Sequence, residues 1–237
     1  MFVFYCPDLQ QNTITLSVED ARHCAKALRM RPGDAIRLTD GRGTLADAAL
    51  VAVTPSDCVA DIIERQEVAP RRIRLHLAVA PTKNPDRMEW LVEKAVELGV
   101  EQITFVICEH SERRKIDLER MRRIAIAALK QSQTTWLPDL QMVEFNDFIK
   151  QQEETAALKY VAWCDDQNDT QLVDETWTEG DVLLLIGPEG DFSPAEISLC
   201  KSMNYKEVKL GSRRLRTETA ALYGCFAVAA GQVGSRK

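Results

Sequence analysis

The chain has 237 residues, 45% of them hydrophobic and 28% charged, which suits one large domain or two small ones around a buried core. No apolar run approaches the roughly 20 residues of a membrane span, and the opening Met1–Cys6 lacks the basic leader and cleavage site of an export signal. A cytoplasmic protein without a membrane segment is therefore expected.

The seven cysteines (Cys6, Cys24, Cys58, Cys108, Cys164, Cys200, Cys225) are odd in number and singly placed, so reduced thiols are expected rather than a disulfide framework. His23, His76 and His110 have no ligand spacing with cysteines or carboxylates, and no metal is expected. His23, a lone histidine beside apolar positions, reads as a structural side chain.

The net charge of −6 counts against a uniformly basic nucleic-acid binder, but distribution matters more than the sum. From Asp20 to Arg42 there are six Lys/Arg against three acids, and from Arg113 to Lys130 seven against two. Basic islands on an acidic body fit a localised phosphate-binding face. Either island alone reads equally as a solvated surface.

In chain order, the first 70 residues are rich in short apolar alternations at Phe2–Cys6, Ala35–Leu38, Ala46–Val53 and Val59–Ile63, separated by turn residues. One helix interrupts them, capped by Ser17 with Asp20 at the box position. Small strands at this spacing predict a compact barrel. After Pro70 the rhythm changes. Strands are predicted at Ile73–Ala80, Gln102–Cys108, Tyr160–Cys164, Val182–Ile186 and Glu207–Leu210. Between them lie a helix capped by Asn84-Pro85 and stopped at Gly99, and a long one from Asp117 to Gln133. Others fall near Asn146–Gln152, from Ser193 with a capping box, and from Thr217 to Gln232. Alternating strands and helices predict a mostly parallel sheet covered on both faces, with the domain boundary near residues 68–72. The last helix, Ala-rich and nearly uncharged, must be buried in the domain or in a subunit interface.

Two stretches carry the chemistry. In Ile186-Gly187-Pro188-Glu189-Gly190-Asp191-Phe192-Ser193 an apolar strand runs through a glycine-bearing turn into a capped helix. Ligands of open α/β sheets bind at such strand ends, although the turn reads equally as a plain connection. In Leu210-Gly211-Ser212-Arg213-Arg214-Leu215-Arg216-Thr217-Glu218-Thr219-Ala220, three arginines and two threonines crowd the mouth of the last helix. Charge concentrated there is costly unless used. The phosphate-binding, dinucleotide and nucleophile-elbow motifs are absent.

These paired segments resemble the signature of the RsmE family, RNA methyltransferases of the SPOUT superfamily that act on N3 of a uridine in 16S rRNA. His23, Ala27-Leu28-Arg29, Gly33-Asp34 and Asp40-Gly41 with Gly43 resemble its PUA-like N-terminal domain; Lys94-Ala95, Glu97-Leu98-Gly99-Val100 and Gln131-Ser132 before Leu137-Pro138 resemble its middle. Asp191 stands where the family usually has glycine, and Gln133-Thr134-Thr135 where a basic residue often follows.

The resemblance implies an α/β fold. A small PUA-like RNA-binding β-barrel spans residues 1–69, and a SPOUT-type parallel sheet with a trefoil knot spans 70–237. It implies S-adenosyl-L-methionine held by Leu185, Ile186, Gly187, Pro188, Glu189, Gly190, Leu210, Gly211, Leu215, Arg216, Thr217 and Thr219. Arg216 and Glu189 are the catalytic candidates, the first to stabilise negative charge on the base, the second to position it or take a proton. Glu218 is a further candidate for the second role, and it reads equally as a carboxylate favoured by the helix dipole. Arg22, Arg29, Arg31, Arg42, Lys83, Arg87, Arg113 and Arg114 would hold RNA. The implied partners are 16S rRNA or the small ribosomal subunit and a second copy of the chain in a homodimer. The alternatives are another RNA nucleoside as target, or a non-catalytic RNA-binding assembly factor.

Overall fold

The computed structural model describes residues 1–163 and 168–234, which divide into two compact units. The first is Met1–Pro70 together with Ile126–Leu137; the second is Arg71–Ala125 with Pro138–Lys237. The segment 126–137 is a piece of the first unit that a contiguous division of the chain does not contain.

In the first unit, strands β1 (Val3–Tyr5), β2 (Thr13–Thr15), β3 (Ala35–Thr39), β4 (Thr44–Val53) and β5 (Cys58–Glu67) form one sheet in the order β1-β3-β4-β5-β2. β1 runs parallel to β3, and the other pairs are antiparallel. The core gathers Phe4, Leu16, Ala21, Ile36, Leu38, Leu50 and Cys58. Helix α1 (Val18–Arg22) starts as the sequence predicts, with Ser17 Oγ accepting from Asp20 N. It then widens into a π-helical turn over His23–Leu28, closed by Arg29 in the left-handed region at φ 53°. β2, three residues long with one buried side chain, falls below any periodicity signal.

The second unit contains a fully parallel sheet of β6 (Ile73–Val79), β7 (Gln102–Ile107), β8 (Asp139–Glu144), β9 (Leu158–Ala162), β10 (Gly180–Ile186) and β11 (Lys206–Val208). Its order is β11-β9-β10-β6-β7-β8. The central strands are buried on both faces, which explains the unbroken apolar run Val182–Ile186. Helices α2 (Pro85–Leu98), α3 (Leu118–Ser132), α4 (Phe145–Gln151), α5 (Pro194–Ser202) and α6 (Thr217–Gly234) alternate with the strands; α3 passes from this unit into the first at Ile126.

The caps read from the sequence are present. Asn84 Oδ1 accepts from Asp86 N ahead of Pro85, Gly99 ends α2 at φ 80°, and Ser193 and Glu196 complete both bonds of a capping box. Phe148, Ile149, Phe192, Ile197 and Cys200 pack with Ala78, Val106, Val161 and Leu183 in one cluster. Where α6 meets β10 the Leu184 side chain occupies the space that a Cβ on Gly224 would need.

On the single chain α6 is buried in the domain along one side, and the subunit-interface half of the expectation concerns the other. One face is buried through Ala221, Gly224, Cys225 and Val228, while Phe226 is 64% exposed on the single chain. β8 was not expected, because an edge strand that is half exposed and reads Asp-Leu-Gln-Met-Val-Glu gives only a weak alternation. Cys164 and the end of its predicted strand lie outside the described residues.

Candidate active site

From β6 the chain steps to β7 and β8 on one side of the sheet, then returns to build β9, β10 and β11 on the other. The direction reverses between β6 and β10. In an open parallel sheet the crevice beyond the carboxyl ends of strands at such a reversal is where ligands bind. Ala80 N donates to Ile186 O there (3.0 Å), so the loops after β6 and β10 leave the sheet side by side. Lys83 N then donates to Glu189 Oε1 (3.2 Å), and Arg113 Nε and Nη2 donate to Lys83 O (3.1 and 2.9 Å).

The turn after β10 is tight. Asp191 N donates to Pro188 O (3.0 Å), and Asp191 sits at φ 62°. That conformation costs glycine nothing, which accounts for the family's usual residue at this place. Asp191 is accommodated because its Oδ1 accepts from Phe192 N (2.9 Å). Desolvation pushes its carboxyl above the usual range, partly opposed by that hydrogen bond and by the Arg214 charge. At Gly187 a Cβ would come 2.9 Å from Phe192 Cε2, so only glycine lets the turn lie against that buried ring.

The two chemistry-bearing stretches meet. Thr217 Oγ1, at the first position of α6, donates to Gly187 O (3.1 Å). Gly211 N donates to Gln171 Oε1 (3.0 Å), which fixes the start of the second turn. Leu185, Ile186 and Pro188 are buried; Gly187, Glu189, Leu210, Gly211 and Leu215 are half-buried; Thr217 is buried, while Gly190, Arg216 and Thr219 are exposed. The result is an apolar floor with a polar, cationic rim.

Two carboxylates are incompletely satisfied. Glu189 Oε2 and Glu218 Oε2 are buried without a hydrogen-bond partner. Glu218 lies in the first turn of α6 with its side chain 7% exposed, and its other oxygen is 3.5 Å from Arg87 Nε. Leaving a buried acceptor unmet costs about 1–3 kcal/mol, so these atoms call for a donor-bearing ligand.

Neither His110 nor Gln171 carries a local signal for this site in the sequence. His110 Nδ1 lies 3.2 Å from Gly190 O and 3.0 Å from Asp191 O; both are acceptors, so Nδ1 carries the proton. Its link to the turn spans 80 residues and leaves no local signal.

Among the basic candidates, Arg22, Arg29, Arg31 and Arg42 are exposed on the first unit, Arg42 pairing with Asp40 and donating to Pro7 O. In the second unit Lys83 pairs with Glu112, Arg87 with Glu218, and Arg114 with Glu144. Arg113 is spent on the backbone of Lys83. Among the described residues no group of three or more His, Cys, Asp or Glu is placed to hold a metal ion, and no helix is long and apolar enough to cross a membrane.

Comparison with known proteins places this geometry in context. A family model described as an RNA methyltransferase domain matches residues 69–229, and one described as an RNA methyltransferase PUA domain matches residues 16–63. The crystal structure of a probable rRNA-methyltransferase from Porphyromonas gingivalis is 39% identical, with a TM-score of 0.91 and all of both chains covered. Ribosomal RNA small subunit methyltransferase E from Neisseria gonorrhoeae, solved bound to S-adenosyl methionine, is 28% identical, with a TM-score of 0.84 and coverage of 98% of this chain and 97% of that one. The protein of the same name from Bacillus subtilis is 27% identical over 91% of this chain and 89% of its own length.

Proposed function

Because the chain belongs to the RsmE family of ribosomal RNA small-subunit methyltransferases, we propose that it methylates N3 of a uridine in 16S rRNA, using S-adenosylmethionine. The observation that carries this reading is the Thr217–Gly187 hydrogen bond, which joins the two glycine-bearing turns beside the unmet carboxylate oxygens of Glu189 and Glu218. The residues fit the cofactor. Its ammonium and ribose hydroxyls are donors for those oxygens, and the apolar surround of Leu185, Ile186, Pro188, Leu210 and Leu215 suits an adenine ring. When bound, it supplies an electrophilic methyl group on a sulfonium.

The protein must then bring N3 into line with that methyl, stabilise the uracil anion and accept the N3 proton. Arg216 is exposed at the mouth of α6, and its role is to stabilise negative charge on the base. Glu189, fixed by Lys83 N through one oxygen, keeps the other for positioning or for the proton. Gly190, Gly211 and Thr219 complete the rim.

The first unit serves as a PUA-like RNA-binding domain, with Arg22, Arg29, Arg31 and Arg42 on phosphates. Lys83, Arg87, Arg113 and Arg114 serve RNA only where their intramolecular partners release them. The second unit is a SPOUT catalytic domain threaded as a trefoil knot. It acts as a homodimer, and support comes from the packed pair α2–α6, which leaves Phe226 64% and Trp90 46% exposed. The substrate places the enzyme in the cytoplasm.

Arg216→Ala tests the reading. Methylation of 16S rRNA is lost while the melting temperature stays at the wild-type value. Retained methylation removes the arginine from catalysis, and unfolding makes it structural.

A further inference from the structure

The first unit contains a cleft of about 760 Å³, bounded by the start of the chain, the α1–π turn and the Ala127–Gln133 end of α3. Its size falls within the range of sites that bury a small ligand. It lies in the unit opposite, in sequence, to the methyl-transfer residues, none of which line it.

Three features give the cleft a chemical character. Phe2 stands 51% exposed, while Val3 and Phe4 behind it are buried. β1 is the edge of its sheet, and Phe2 immediately precedes it. His23, predicted to be a structural side chain, is instead exposed in the same lining.

Cations come next. Arg22 and Lys26 are both exposed, and neither side chain has an ion pair or hydrogen bond among the described residues. The acid nearest the floor, Asp20, is taken up by Lys130 Nζ (2.9 Å) and by Ser17 Oγ (2.9 Å), which leaves Glu19 as the one unpaired carboxylate of the lining.

Amides complete the set. Gln131 and Gln133 are exposed at the end of α3, and Gln133 is held in the left-handed region at φ 56°. A carboxamide both donates and accepts, as a base edge does. An exposed aromatic ring, two unpaired cations and two amides match a nucleotide. A peptide or lipid would call for a deeper apolar surface.

We propose that this cleft takes one unpaired nucleotide of the RNA, its base stacked on Phe2, its edge met by Gln131 and Gln133, and its phosphate held by Arg22 and Lys26. This rests on the reading that the substrate is RNA, and adds a recognition point separate from the transfer chemistry. It predicts that the enzyme discriminates unpaired from fully paired RNA before any methyl donor is present, because a base inside a duplex cannot offer its face to the ring.

The test uses the full chain without methyl donor. Fluorescence anisotropy measures binding of a short single-stranded RNA and of a blunt duplex of the same length. Phe2→Ala weakens the single strand about tenfold, within the range for loss of one base–aromatic stack. It leaves the duplex unchanged, and Phe2→Trp restores the single strand. Gln131→Ala, at an exposed helix position, serves as the second variant and likewise weakens the single strand alone. Equal loss on both probes, or no loss on the single strand, overturns the proposal. Wild-type protein that binds neither RNA would sink the rRNA reading as well, whereas wild-type binding with an indifferent Phe2→Ala sinks only the cleft.

Discussion

Glu101→Gln should make the second unit more stable at neutral and alkaline pH. Glu101 stands just before β7, where its Oε2 accepts from Leu75 N (2.7 Å) and its own N donates to Leu75 O (3.1 Å). Desolvation raises its carboxyl from 4.5 to about 7, against lesser opposing effects of the Leu75 bond and the Arg71 charge. Between those values the folded chain holds a proton that the unfolded chain has released. Stability therefore falls as pH rises through the window, by at most about 3 kcal/mol at about 1.4 kcal/mol per unit.

His76 works in the opposite sense. Burial lowers its imidazole from 6.5 to about 4, so the unfolded chain takes up a proton that the folded one refuses. Stability is lost as pH falls through that window, again by at most about 3 kcal/mol. The two slopes nearly cancel in the wild type between pH 4.5 and 6.5. A glutamine keeps an acceptor for Leu75 N and has no charge to bury. Urea unfolding followed by circular dichroism should show the variant gaining up to about 3 kcal/mol at about pH 8 and almost nothing at about pH 4. Its stability should now rise between those values with the slope that His76 alone produces. Equal effects at both pH values would refute the assignment.

Gly187→Ala should cost about 1–3 kcal/mol in the same assay, because the buried Phe192 ring cannot yield to a Cβ. Displacement of the turn should also weaken S-adenosylmethionine binding at least about tenfold by calorimetry, close to 1.4 kcal/mol. Asp191→Gly should leave cofactor affinity unchanged and alter stability by no more than about 1 kcal/mol, since the left-handed φ is relieved while the bond to Phe192 N is lost; a large loss would mean the carboxylate has a role of its own. RNA binding should weaken steeply with salt, and Arg29→Ala should reduce the slope of log affinity against log salt by about 1. An unchanged slope would remove Arg29 from the phosphate face.

Much of the second unit was legible because its signals are local. Asn84-Pro85, Gly99 and the Ser193–Glu196 box mark helix ends by hydrogen bonds that close within a few residues. The run Val182–Ile186 marks a strand buried on both faces. The glycine-bearing turns at 187–190 and 211 could be seen for the same reason. What escaped the sequence is long-range or irregular. The π-helical turn at His23–Leu28 keeps helical composition while changing its period. The membership of Ile126–Leu137 in the first unit, the grip of His110 on Asp191 and the bond from Lys83 to Glu189 join residues far apart in the chain. The exposed side of α6 could not be told from a buried one, because a helix awaiting a partner and a helix inside a core are written with the same residues.

On the proposed function, the joined turns direct a methyl group to N3 of uridine. The most direct measurement is mass spectrometry of nucleosides from 16S rRNA treated with the purified protein and isotopically labelled S-adenosylmethionine. The label should appear in 3-methyluridine and disappear with Arg216→Ala. Label in a different nucleoside, or none in ribosomal RNA, would rule out N3 of uridine as the target.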